Sequence, residues 1–178
     1  MPTDKQRGVL VGMALGFGAT VAVLCGAIVA APDALLPNAG VMESWAHALA
    51  WDALPVACLA ISIARLASHR FFTPADIDGG ATSDGTSSAR LLQAMLQNTL
   101  EQTVLALATH AIWATTTPRT WQAAIPAAAV LFAVGRVLFW RGYARGAPAR
   151  AIGFALTFYP SVVMLLTLAV RFVYRLLG

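Results

Sequence analysis

Apolar residues gather into five long segments: 8–31, 44–66, 89–115, 121–140 and 151–170. The first carries no charge, and the second is interrupted by Asp52 and Pro55. Each is long enough to cross a hydrocarbon core of about 30 Å at roughly 1.5 Å rise per residue. Helices are expected, because a bilayer offers backbone groups no partner outside helices and closed barrels. The first segment is read as a retained span. Its apolar run exceeds that of a cleavable leader, and Pro32 directly follows the small triplet Val29-Ala30-Ala31. Gly8, Gly12 and Gly16 recur at a spacing that lets a second helix approach closely.

The third segment breaks the apolar pattern with "LQNTLEQT", residues 96–103. On a helical wheel Arg90, Gln93, Gln97, Asn98, Glu101 and Gln102 share one half of the circumference, with Leu92, Leu96, Val104 and Leu107 opposite. An ionised carboxylate at mid-membrane costs about 2.5–3.5 kcal/mol even on the lenient insertion scale. The polar half is therefore expected to face the bundle interior or a cleft. Arg136, in the fourth segment, is the expected counter-charge. Glu101 lies about 16 Å beyond Arg90 along its helix, and Arg136 about 13 Å from Arg145, so their depths match. A Glu101–Arg136 contact is predicted. Residue chemistry leaves two readings of this stripe open: fastening helices together, or lining a ligand cleft.

Composition agrees with the spans. The chain has 178 residues, 58% hydrophobic and 11% charged, with mean hydropathy +0.70. That is too little charge to cover a soluble domain, so an integral membrane protein is expected. The net charge of +4 does not point to nucleic acid, because its arginines sit mostly in short segments between spans. With the N-terminus inside, nine of the 12 basic residues fall on the cytoplasmic side and three outside. The positive-inside rule then places the N-terminus in and the C-terminus out.

The longest polar stretch, 67–88, has turn residues at Pro74, Gly79, Gly80 and Gly85, and Ser87 or Ser88 is expected to cap the third helix. Asp76, Asp78 and Asp84 lack the EF-hand spacing. Cys25 and Cys58 stand alone in apolar runs, and His47, His69 and His110 are scattered, so no metal is expected.

The stretch "GRVLFWRGYARGAPARAIGF", 135–154, carries Arg136, Arg141, Tyr143, Arg145 and Arg150. Arginines at this depth bind lipid phosphates or clamp the carboxylates of an anionic small molecule. "NTLE" in one span followed by this hairpin resembles the MAPEG family, the membrane-associated proteins of eicosanoid and glutathione metabolism. The likeness covers about residues 44–171. Residues 44–178 would form the four-helix MAPEG-like unit, and residues 1–43 an added N-terminal span with its outer loop.

The resemblance implies a homotrimer binding glutathione between subunits near the cytoplasmic side. It implies that Asn98 and Glu101 hold the tripeptide together with Arg136, and the polar stripe adds Arg90 and Gln97 to the expected ligand-binding set. Arg150 would activate the thiol and Tyr143 position the tripeptide, making these the expected catalytic pair. The chain departs from the family pattern at three positions. Ala94 stands where glutathione-using members commonly have Arg, Gln102 follows the Glu, and Phe139 replaces a further Tyr.

The expected function is a glutathione-dependent transferase or peroxidase acting on lipophilic small molecules in a multi-pass, bacterial plasma-membrane setting, with glutathione as co-substrate. The alternative is a non-enzymatic lipid-binding or scaffold protein of the same fold. A small transporter is a third reading, from Asp52 and Pro55 in the second span, although no inverted repeat is visible.

Overall fold

The computed structural model describes residues 2–79 and 85–178. Gly80 and Asp84, considered above as a turn residue and a carboxylate, lie outside the described residues. Among the described residues five α-helices follow one another: α1 (Asp4–Ala30), α2 (Val41–Phe72), α3 (Ser87–Thr116), α4 (Ala124–Tyr143) and α5 (Ala147–Leu177). A 3₁₀ turn, Arg119–Ala123, precedes α4, so the fourth helix begins later than Trp121. Thr86, not Ser87 or Ser88, caps α3, its hydroxyl accepting from the Ala89 N–H. The described residues contain no strand.

The helices α1, α2, α4 with its leading turn, and α5 are each long and apolar enough to cross a membrane. The helix α3 is 30 residues long but more polar. It pairs antiparallel with α2 over its whole length, through Arg70–Gln93 at one end, Ser62–Thr99 in the middle and Asp52–His110 at the other. Pro55 interrupts neither the course of α2 nor its packing. The architecture is that of an all-α, multi-pass membrane protein.

The α4–α5 hairpin is packed differently. A Cβ at Gly142 would collide with the Ala149 backbone, and one at Gly153 with the backbone of Phe139. Only glycine permits this approach. The turn between the helices needs a positive φ, supplied by Gly146 at +95°.

The glycine stripe of α1 lies along α5. Gly8 faces Pro148, Gly12 faces Ala151 and Gly16 faces Ala155, so the two helices run parallel. Phe17 meets Tyr159 edge to face further along. The apolar core at the opposite end joins Leu24, Trp113, Ile125 and Met164 from four helices. Trp113 is buried there and donates to the Trp121 carbonyl.

Candidate functional site

The tight α4–α5 crossing determines where two of the expected site residues stand. Tyr143 is the last residue of α4, and Arg150 lies in the first turn of α5. Gly142 and Gly153 draw the helices together on either side of them. The Arg150 guanidinium lies 4.3 Å from the centroid of the Tyr143 ring. The same ring meets Phe139 edge to face. Cation and ring face attract, which orients both side chains.

Arg136 lies behind Asn98 and Phe139. It is fully buried and is held by neutral oxygens. Its Nη1 donates to Asn98 Oδ1 at 2.9 Å and to Thr99 Oγ1 at 3.4 Å, and its Nη2 donates to Thr157 Oγ1. The guanidinium also rests over Phe139 at 4.4 Å and Phe132 at 5.6 Å from their centroids. Guanidinium only donates, so the oxygen end of Asn98 must face it. The amide NH2 is thereby the end available to a ligand.

The predicted Glu101–Arg136 contact does not form. Glu101 is exposed on this chain and accepts from Gln97 Nε2 at 3.0 Å. The physical reason is a rotation of α3 from the expected orientation. Its buried face runs through Met95, Thr99, Gln102, Ala106, Thr109 and Trp113. Gln93, Gln97, Glu101 and Val104 lie outside it. Threonines and aromatic faces satisfy Arg136 in place of a carboxylate.

Five of the seven expected site residues divide between two cavities, and Arg136 and Glu101 line neither. Asn98, Tyr143 and Arg150 line one cavity of about 250 Å³, together with Phe139 and Phe154 and, from α1, Val9 and Met13. Arg90 and Gln97 line another of about 380 Å³, with Arg70, Asp76, Gln93 and Ala94. There Arg70 donates to Gln93 and Arg90 to the Gly85 carbonyl. The missing Arg at 94 belongs to this second group.

Sequence reasoning did not find three features. The first is the participation of Val9 and Met13, since no spacing rule says which side of an added helix faces a cavity. The second is the buried Asp52–His110 pair, 2.5 Å apart. Both residues were visible as polar intruders, but their mutual register depends on the α2–α3 pairing. The third is a knot beside the cap of α3. Asp76 accepts from the Thr86 hydroxyl and backbone N–H at 2.6 and 2.7 Å, and meets His69 at 2.9 Å. The hydrogen bonds from Thr86 hold the Asp76 carboxyl below the usual carboxylate range. Among the described residues no cluster of His, Cys, Asp or Glu could hold a metal ion.

A family model described as the MAPEG family matches residues 45–170. That span contains both cavity groups except Val9 and Met13, and leaves α1 outside. No curated protein and no solved structure matches the chain.

Proposed function

The chain belongs to the MAPEG family, and from that premise we propose a glutathione-dependent transferase or peroxidase for lipophilic electrophiles. The observation that carries this reading is the convergence of Asn98, Tyr143 and Arg150 on one cavity, with a buried cation behind the amide. The donors suit an anionic, peptide-like ligand. The Asn98 NH2 can donate to a peptide or carboxylate oxygen, the Tyr143 hydroxyl can donate or accept, and Arg150 supplies a planar fork.

A cavity of about 250 Å³ falls below the range of about 300–1,000 Å³ that encloses drug-sized ligands. In this reading it receives the cysteinyl arm, and the rest of the tripeptide extends outward. Arg150 beside the sulfur favours loss of the thiol proton, and the thiolate is the nucleophile. The sulfur–carbon bond forms as the electrophile's leaving group departs, or as its double bond takes up the electrons.

A homotrimer is part of the proposal. Glu101 is the fifteenth of 30 residues in α3, near mid-span, and its exposed partnership with Gln97 is costly against lipid. A second copy covering the Gln93–Gln97–Glu101 face would remove that cost and bring the two cavity groups of neighbouring subunits into one site.

A non-enzymatic, lipid-binding role is the second reading. Phe139 favours it: a residue with no hydroxyl stands in the cavity wall where other members offer one, and it is committed to Arg136. A thermal-shift series on the purified chain separates the two. The transferase reading expects stabilisation by glutathione that is lost in Arg150→Leu and in Asn98→Leu. Stabilisation by lipid alone, unchanged in both variants, supports the second reading against the first.

A further inference from the structure

We propose that α1 is a working wall of the ligand site, and that Met13 sets the size of the apolar group the site admits. The proposal rests on the anionic-ligand reading of the Asn98–Tyr143–Arg150 cavity. It adds residues from a helix that lies outside the family match.

Val9 and Met13 line the same cavity as Asn98, Tyr143 and Arg150. Their position is fixed, because Gly8, Gly12 and Gly16 seat α1 on Pro148, Ala151 and Ala155. A Cβ at Gly12 would come within 2.8 Å of the Ala151 Cβ, so α1 has no room to lie closer and has close contacts holding it in place. The two helices run parallel, and this orders the cavity along its length. Val9 lies level with the first turn of α5, near Ala147 and Arg150. Met13 is one turn deeper, about 6 Å, as Phe154 is beyond Arg150.

The charged and hydroxyl-bearing groups, Arg150 and Tyr143, thus stand at one end. Met13, Phe154 and Phe139 form an apolar section further in. Toward the helix ends the cavity adjoins a groove of about 650 Å³ that shares Val9 and Ala147 and continues past Lys5 and Gln6. An anionic amphiphile fits this order, with its head near Arg150 and Lys5 and its alkyl or aryl part against Met13. A thioether of glutathione has that chemistry, and so does a free alkyl carboxylate.

The test uses the full chain in lipid nanodiscs and two probe series: S-alkyl glutathiones and n-alkyl carboxylates of increasing chain length. Met13→Ala and Met13→Trp are compared with wild type and with Val23→Trp, an exposed position on α1. Met13→Ala enlarges the cavity without demanding new space, so it reports even if the Trp variant folds poorly.

The proposal expects Met13→Ala to move the preferred alkyl length upward. It expects Met13→Trp to weaken the longer members by about tenfold, as excluding two methylenes would. Glutathione itself should change by no more than about twofold, and Val23→Trp should match wild type. If the S-alkyl glutathiones bind and position 13 leaves their ranking unchanged, the wall assignment is wrong and the glutathione reading survives. If only the carboxylates bind and their ranking follows position 13, the wall stands and the glutathione reading falls. If neither series binds, both fall.

Discussion

The two hairpins of this bundle are joined by opposite means. The α4–α5 hairpin is held by the absence of side chains, with Gly142 against Ala149 and Gly153 against Phe139. The α2–α3 hairpin is held by polar side chains at three levels: Arg70–Gln93, Ser62–Thr99 and Asp52–His110. Backbone packing fixes a distance closely, because any added atom meets backbone. Polar pairs fix a register, because each donor must find its acceptor. The site borrows from both. Tyr143 and Arg150 owe their proximity to the glycine hairpin, and Asn98 owes its depth to the register of α3 on α2.

The contrast can be broken most severely at the glycines. Gly153→Val places its side chain into the Phe139 backbone. Overpacking of this kind costs about 1–3 kcal/mol when side chains can move. Here the obstacle is backbone, so the upper end or outright loss of folded protein is expected, read as melting temperature in detergent or lipid. Glutathione-dependent stabilisation should vanish with it, because Tyr143 and Arg150 separate.

The polar hairpin should respond to single and paired changes differently. Asp52→Ala leaves buried His110 without its partner and should cost about 1–3 kcal/mol. Replacing both together, Asp52→Leu with His110→Phe, should recover most of that loss, since no polar group is then stranded. A double variant as unstable as the single would mean that the pair does more than hold register.

The knot beside α3 gives a smaller, pH-dependent effect. Hydrogen bonds from Thr86 hold the folded-state pKa of Asp76 below its ordinary value. Its contribution is therefore fully present above the unfolded value, about 3.9, and is lost as pH falls through the lower folded value. Proteolytic protection of the α2–α3 connection should stay level from neutral pH to about 5 and decline in stronger acid. Asp76→Asn should lower protection at neutral pH and flatten that decline. The smallest effect belongs to Arg70→Ala. Its bond to Gln93 is exposed, and surface contacts of this kind contribute about 0–1 kcal/mol.

Much of the fold was readable from apolar length alone, because segments 8–31 and 151–170 have few ways to satisfy a backbone in lipid. The Gly8–Gly12–Gly16 stripe also meets a partner, and spacing alone could not say that the partner is α5. The orientation of α3 was misread. Its sequence carries polar residues on more than half of its circumference, so no single face announces itself as buried. Thr99, Thr103 and Thr109 are small enough to pack like apolar residues, and Thr99 and Thr109 bond to carbonyls one turn back while Thr99 also accepts from Arg136. The inner face is thus built from threonines and Gln102, and Glu101 is left outside. Charge matching assumed that a buried cation requires a buried carboxylate. Arg136 instead uses Asn98, two threonines and two phenyl faces, which the sequence contained but did not point out.

Ultraviolet difference spectroscopy for the glutathione thiolate, on wild type and Arg150→Leu across a pH series, bears most directly on the chemistry assigned to the Asn98–Tyr143–Arg150 cavity. The account predicts a thiolate signal in wild type at a pH where free glutathione remains a thiol, and a shift of that titration toward the free value in the variant. Glutathione that binds with no thiolate signal, or a titration identical in the two proteins, would contradict it.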